Sequence, residues 1–179
     1  MLLFESMLSD EDMTEKAIHI YKNYYSYMIY IAGRYLNDPS EREDAAQECM
    51  LKLISVIGSV DTSDSTRLKG LCGVVTRNIA INMCKRKEKG NLSLEEIFNV
   101  SDTITPTPEE IVVSNDSMTR LLRAMEKLGD KYRDVLKLKY FNQLKEQEIA
   151  ELLELPPKTV NQRIFRGKQL LRHAIEEEK

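Results

Sequence analysis

Apolar residues recur at helical spacing along most of this 179-residue chain. Residues three and four positions apart share one face of a helix, so this spacing predicts amphipathic helices. Two predicted helices near the C-terminus are separated by Pro156 and Pro157. The other predicted helices cover residues 11–36, 40–57, 67–87, 108–128 and 131–141. No sustained apolar–polar alternation predicts a strand, so we expect an all-α fold.

Two of these helices have an expected buried stripe. For the first helix the residues expected to face inward are Ile18, Tyr21, Tyr25, Met28, Ile29 and Tyr35. For the last helix they are Val160, Ile164, Leu170, Leu171 and Ile175. The tyrosines between residues 21 and 30 could stack on nucleic-acid bases, but at this spacing packing in the core and at its edge is the favoured interpretation.

The clearest local pattern is the break at the two prolines. A proline disfavours helical geometry in the residue before it, so the preceding helix should end near Glu154. Pro157 suits the first turn of the next helix, where its missing N–H costs little. A short helix, a tight turn and a second helix are typical of a DNA-binding helix-turn-helix.

The helix after the prolines has a basic face, since no Asp or Glu occurs from residue 158 to residue 174. Asn, Gln and Arg can read base edges, and Lys, Thr and Arg can contact phosphates. The predicted DNA contacts are Lys158, Thr159, Asn161, Gln162, Arg163, Arg166 and Lys168. A merely solvated basic face is the alternative, and the preceding helix and turn favour DNA binding.

This segment resembles the C-terminal promoter-reading region of the sigma-70 family of RNA polymerase sigma factors. The family pattern is E-x-E-I-A-x-x-L, a turn, and then T-V-x-x-R-x-x-R-x-x-x-x-L. The matching residues are Glu146, Glu148, Ile149, Ala150, Leu153, Thr159, Val160, Arg163, Arg166 and Leu170. A helix-turn-helix also occurs in many repressors. The N-terminal half of the chain must therefore distinguish a sigma factor from a repressor.

The N-terminal half carries two further segments that resemble this family. Residues 43–54 resemble its helix that binds the clamp of the polymerase's largest subunit. The resemblance implies polymerase contacts by Glu43, Asp44, Gln47 and Glu48. Residues 68–87 resemble the helix that reads and opens the −10 promoter element. For that helix the resemblance implies DNA contacts by Arg77, Asn78, Asn82, Lys85 and Arg86.

Three residues depart from the family pattern of the −10 helix. Leu71 stands where the family usually has Trp, Gly73 where it has an aromatic or long residue, and Asn82 where it has Asp. Aromatic rings supply the stacking surface for unpaired bases. We therefore expect no stacking within this helix, and expect residues 59–67 to build the pocket for a flipped base.

The charge distribution agrees with two DNA contacts. The formal net charge is −3, but residues 67–89 and the last helix are basic, and residues 91–117 contain acids and no Lys or Arg. Two basic surfaces joined by an acidic linker suit a protein that touches DNA twice. We predict two small helical domains, residues 1–89 and 111–179, joined by a flexible linker over residues 90–110.

Other classes of site find no support in the sequence. Cys49, Cys72 and Cys84 lack metal-ligand spacing and are expected to be reduced core thiols. No nucleophile–base pair, glycine-rich phosphate loop or zinc pattern occurs, so we expect neither an enzyme nor a cofactor or metal. The N-terminus lacks the features of a signal peptide, and no stretch is long enough to span a membrane, so a cytoplasmic protein is expected.

The sequence therefore predicts a sigma factor of the extracytoplasmic-function (ECF) type, since the resemblance covers residues 17–174 in two regions. Its implied partners are core RNA polymerase, through the clamp and the flap of the second subunit, and promoter DNA in double-stranded and melted form. An anti-sigma factor is a further implied partner. Two alternatives stay open: a stand-alone helix-turn-helix regulator, and a sigma-like module that sequesters polymerase without initiating transcription.

Overall fold

A computed structural model describes residues 10–88 and 116–176 of the chain. These residues are helical with short connections and contain no strand, which confirms the all-α expectation. They form two compact units, one within residues 1–101 and one within residues 102–179. The predicted linker over residues 90–110, and the first residues of the helix predicted from residue 108, lie outside the described residues.

Within residues 10–88, the first unit contains three helices and one short 3-10 turn. They are α1 (Glu11–Ala32), α2 (Pro39–Ser55), the turn Ile57–Ser59 and α3 (Ser65–Glu88). An aspartate caps the start of each of these three helices. The Asp10 carboxylate accepts a hydrogen bond from the Asp12 N–H at 3.0 Å, and the Asp38 carboxylate accepts one from the Ser40 N–H at 2.9 Å. Such caps satisfy amides that have no partner within the helix.

The buried stripe of α1 differs from the predicted one. Its buried residues are Ala17, Ile20, Tyr24, Met28, Ile31 and Ala32. Of the predicted residues, Met28 is buried and Tyr21 is exposed. The other four are half-buried: Ile18, Tyr25, Ile29 and Tyr35. The predicted stripe contains three tyrosines, whereas α1 contacts both α2 and α3 through a stripe that includes two alanines. Small side chains there let the helices approach closely.

Helix α3 is the centre of the first unit. Every residue from Leu71 to Ala80 is buried except Asn78. The helix contacts both α1 and α2, so its middle is enclosed from several sides. A helix that is apolar on most sides is typical of a core element. Solvent therefore reaches α3 mainly at its two ends and at Asn78.

Within residues 116–176, the second unit contains four helices and one wider turn. They are α4 (Asp116–Glu126), α5 (Asp130–Leu136), a π-helical turn (Lys137–Phe141), α6 (Glu146–Leu153) and α7 (Pro157–Glu176). The helix predicted over residues 131–141 thus ends in a π turn, where the Asn142 N–H donates to the Lys137 carbonyl at 3.1 Å. The chain reverses at Gln143, whose φ is 58°.

The break between α6 and α7 confirms the expectation from the two prolines. Helix α6 ends at Leu153, and Glu154 adopts left-handed geometry with φ 52° and ψ 46°. The Leu155 N–H then donates to the Ala150 carbonyl at 2.9 Å, which satisfies a terminal carbonyl of α6. The Pro156 carbonyl accepts the Thr159 N–H at 2.8 Å, and α7 begins at Pro157.

Helix α7 packs through a stripe that includes its only glycine. Val160, Ile164, Gly167 and Ala174 are buried, and Leu171 and Ile175 are half-buried. The prediction that Leu170 faces inward was wrong, because that side chain is exposed. Each residue advances about 100° around a helix, which places residue 167 rather than 170 beside Val160 and Ile164.

Candidate nucleic-acid and polymerase interfaces

The predicted DNA-contacting residues of α7 lie on its solvent side. Thr159 and Arg163 are half-buried. The exposed ones are Lys158, Asn161, Gln162, Arg166 and Lys168. Most of them lie in the first half of α7, which is the part of a recognition helix that reaches base edges.

A groove runs between α7 and the start of α5. Its volume is about 650 Å³. Its lining contains three cationic side chains and no carboxylate. The residues that line it are Lys131, Tyr132, Thr159, Gln162, Arg163, Phe165, Arg166 and Gln169. A cationic concave surface of this kind attracts polyanions.

Four residues that line this groove are not among the predicted DNA contacts: Lys131, Tyr132, Phe165 and Gln169. Phe165 is 65% exposed on α7, although it is apolar. Lys131 belongs to α5 but lines the same groove. Helical spacing could have identified Phe165, because it falls outside the stripe through Val160 and Ile164. Only the packing of α5 against α7 brings Lys131 to this surface.

Ionic and hydrogen-bonding contacts fix the start of α6, which supports α7. Lys139 of the π turn pairs with Glu146 at 2.9 Å. Its hydrogen bond lowers the pKa of the Glu146 carboxyl. The Lys145 N–H donates to a carboxylate oxygen of Glu148 at 2.7 Å. The first contact joins α6, the first helix of the helix-turn-helix, to the preceding π turn. The second satisfies a backbone amide at the N-terminus of α6.

The predicted −10 residues of α3 occupy different environments. Asn78, Asn82 and Lys85 are half-buried, and Arg86 is exposed. Arg77, by contrast, is only 4% exposed. The packing of α1 and α2 encloses the middle of α3 around Arg77, and its predicted DNA contact stays a prediction. The motif residue that remains accessible there is its neighbour, Asn78.

The loop before α3 is held by its own aspartates. The Asp61 carboxylate accepts hydrogen bonds from the N–H and hydroxyl of Ser63 at 2.9 and 2.6 Å, which lower its pKa. The Asp64 carboxylate accepts the Thr66 and Arg67 amides, both at 3.0 Å, and caps α3. Leu71, at the family's Trp position, is buried. The predicted pocket for a flipped base at this loop stays a prediction.

The predicted polymerase-binding residues lie on α2. Glu43, Asp44 and Gln47 are exposed. Glu48 is half-buried, and its Oε1 atom lies 3.7 Å from Lys52 Nζ. Leu51 was not predicted, yet it is 49% exposed one helical turn after Gln47. This surface therefore combines acidic, amide and apolar groups.

Two tyrosines of α1 border this surface. The rings of Tyr21 and Tyr25 lie 4.8 Å apart. Burial is the main reason that the pKa of the Tyr25 hydroxyl is raised. The same hydroxyl forms a hydrogen bond with the side chain of Gln47. Aromatic residues beside exposed polar groups are common at protein interfaces. We call the surface formed by Tyr21, Tyr25, Glu43, Asp44, Gln47 and Leu51 the α1–α2 surface.

Neither a metal site nor a membrane span is found among the described residues. Residues 10–88 and 116–176 contain no group of three His, Cys, Asp or Glu side chains placed to hold a metal ion. Within those same ranges, no helix combines the length and apolar character needed to cross a membrane.

Comparisons with known proteins match both units. The family description "Sigma-70 region 2" matches residues 20–90, and "Sigma-70, region 4" matches residues 118–171. The ECF RNA polymerase sigma factor SigW of Bacillus subtilis is 30% identical over 176 residues, which cover 93% of this chain and 90% of that protein.

Two further relatives are more distant. RNA polymerase sigma-H factor of Pseudomonas aeruginosa is 24% identical over 80% of this chain and 77% of its own length. ECF RNA polymerase sigma factor SigE of Mycolicibacterium smegmatis is 26% identical over 91% of this chain and 60% of its own length. The chain therefore belongs to the sigma-70 family as a sigma factor of the ECF type, which binds core RNA polymerase and promoter DNA and directs promoter-specific transcription initiation.

Proposed function

We propose that α7 reads the −35 promoter element from the major groove. The observation that supports this proposal is the cationic groove along α7, whose lining contains no carboxylate. Gln162 and Arg166 are exposed there and have the donors and acceptors needed for bidentate base contacts. Phe165 offers an apolar surface to a thymine methyl group. Lys158, Thr159, Asn161, Arg163 and Lys168 complete the interface with base or phosphate contacts.

We propose that the exposed end of α3 contacts −10 DNA. Asn78 is the accessible polar residue of the enclosed middle of α3, and its amide can pair with a base edge. Asn82, Lys85 and Arg86 continue from there toward the C-terminus of the helix. Arg86 is exposed and suits a phosphate contact. In this arrangement the domain of residues 1–89 binds the polymerase and the −10 element. The domain of residues 111–179 binds the −35 element, and the linker of residues 90–110 joins the two.

We propose that the α1–α2 surface docks on the clamp of the polymerase's largest subunit. We expect basic residues of the clamp to lie opposite Glu43 and Asp44, and an apolar pocket to lie opposite Leu51. The exposed Glu43, Asp44 and Gln47 fit this role better than Glu48, which lies beside Lys52. We further propose that the second unit binds the flap of the second subunit, that the protein acts in the cytoplasm, and that an anti-sigma factor regulates it.

The first test is run-off transcription with purified bacterial core polymerase on promoter fragments from the source genome. The wild-type chain is expected to produce new, sequence-specific starts. Glu43→Lys should abolish them by lowering core affinity, whereas Gln162→Ala should retain core affinity and lose −35 discrimination. Starts that persist unchanged with either variant would reject the corresponding surface. Tyr30→Ala, at an exposed α1 residue outside these surfaces, is the matched control.

A further inference from the structure

Two lysines of the second unit are each held over an aromatic ring. The Lys131 ammonium lies 5.0 Å from the centre of the Tyr132 ring at the start of α5. The Lys168 ammonium of α7 lies 5.0 Å from the centre of the Tyr140 ring in the π turn. Each distance is within the range at which a cation is attracted to a ring face. Both lysines are exposed, so their charges remain available to a ligand.

The two pairs lie on opposite flanks of α7. Lys131 lines the groove together with Arg163 and Arg166. Lys168 follows Arg166 by two residues, which is about 200° around a helix, so it projects from the other side. Separate elements therefore supply the ring on each flank: α5 on the groove side and the π turn on the side of Lys168. Gln162 and Phe165, which also line the groove, lie on the part of the exposed face between Arg166 and Lys168.

The width of a DNA major groove is close to the width of a helix with its side chains. The groove is about 12 Å wide, and a helix with its side chains is about 10–12 Å across. A helix that enters it therefore meets a sugar-phosphate backbone on each flank. Cations placed on both flanks can contact phosphates of both strands, and such contacts set position and orientation without reading sequence.

We propose that the Lys131–Tyr132 and Lys168–Tyr140 pairs are two phosphate clamps that hold α7 in the −35 major groove, one on each DNA strand. The inference rests on the proposed −35 role of α7 and adds Lys131, Tyr132 and Tyr140 to that interface. The lysines are the contacting residues. Tyr140 is a positioning residue: its ring, 48% exposed, restricts the Lys168 side chain before DNA arrives. Pre-ordering a flexible side chain reduces the entropy lost on binding.

The test measures the promoter affinity of the complete holoenzyme as a function of salt concentration. Each lost phosphate contact reduces the slope of log K against log salt by about 0.9. Lys131→Gln and Lys168→Gln should each produce that reduction, and the double variant should produce about twice as much. The loss of affinity should be equal on fragments with the native and with a scrambled −35 element. Lys22→Gln, at an exposed lysine of α1, is the matched control.

The role of Tyr140 has its own readout. Tyr140→Leu should weaken binding about two- to fivefold without changing the salt slope, because the Lys168 charge remains. Tyr140→Phe keeps the ring and should bind like the wild type. A reduced slope in Tyr140→Leu, or equal losses in both Tyr140 variants, would overturn the positioning role.

Gln162→Ala separates this inference from the proposed function. If it loses −35 discrimination while both lysine variants keep the wild-type salt slope, α7 reads the element and the clamps are rejected. If neither discrimination nor slope changes in any variant, the −35 role of α7 fails as well. A circular-dichroism melt of each variant checks that the helices are intact.

Discussion

Gly167 of α7 packs directly against Leu136 of α5. A Cβ at residue 167 would lie 3.1 Å from Leu136 Cδ1 and 3.5 Å from Tyr132 Cβ. Leu136 is fully buried, so it has little room to move away. The absence of a side chain at Gly167 therefore sets the distance between α5 and α7, and with it the width of the cationic groove.

Gly167→Leu should consequently destabilise the second unit. A side chain forced into a packed contact typically costs about 1–3 kcal/mol. Urea unfolding followed by circular dichroism should show this loss in the free energy of unfolding. An unchanged midpoint would mean that α5 and α7 separate without cost, and that the glycine does not set their distance.

Gly70 provides the opposite case and serves as the control. It lies inside α3, and a Cβ there would meet no atom within 4 Å. Gly70→Ala should therefore stabilise the first unit by about 0.5–1 kcal/mol, because alanine loses less backbone entropy in a helix. A destabilised Gly70→Ala would show that the surroundings of α3 are more crowded than the structure indicates.

Arg163→Ala should weaken promoter binding by about 1–3 kcal/mol if its guanidinium reads a base, and should relax preference at one −35 position. The half-buried placement of Arg163 beside the groove limits how it can reach that base. Competition binding with singly substituted −35 fragments measures the effect. Unchanged affinity and preference would remove Arg163 from the readers.

Arg86→Ala should behave differently, since an exposed arginine at the end of α3 suits a phosphate. Affinity should fall equally for all −10 sequences, and the salt slope should decrease by about 0.9. The same competition assay, repeated at several salt concentrations, separates the two arginines. A changed −10 preference would make Arg86 a reader instead.

Leu51→Ala should reduce affinity for core polymerase by about 1 kcal/mol or more, because it removes apolar area that docking would bury. Leu51 is 49% exposed within the α1–α2 surface. Tyr30→Ala is the control, since Tyr30 is 66% exposed but lies about 140° around α1 from Tyr25. Equal affinity of both variants, measured by fluorescence titration, would exclude Leu51 from the interface.

The three thiols should react at very different rates. Burial raises the pKa of Cys49 to about 12 and that of Cys72 well above its usual range. The thiolate is the reactive form, so iodoacetamide near pH 8 should modify the half-buried Cys84 first. Mass spectrometry of peptides, with and without urea, gives the rates. Labelling of Cys49 as fast as Cys84 in the folded protein would contradict this order.

The same raised pKa values predict a loss of stability in alkali. Between the unfolded thiol pKa, about 8.5, and the folded value near 12 for Cys49, the folded state keeps a proton that the unfolded state releases. The contribution of the protonated Cys49 thiol to the free energy of unfolding is therefore fully present below about pH 8.5 and decreases as the pH rises. Urea midpoints of the wild type at pH 8 and pH 10 should differ more than those of Cys49→Ala.

Helix positions, the break at Pro156 and Pro157, and the motifs of both family regions can be read from the chain without its fold. Those features depend on neighbours within a few residues, through helical periodicity, proline geometry and capping. The tertiary structure alone decided which side of α1 is buried, that Arg77 is enclosed, and that Lys131 and Tyr140 flank α7. These depend on elements distant along the chain, because a helix shows which residues share a face but not which face its neighbours will cover.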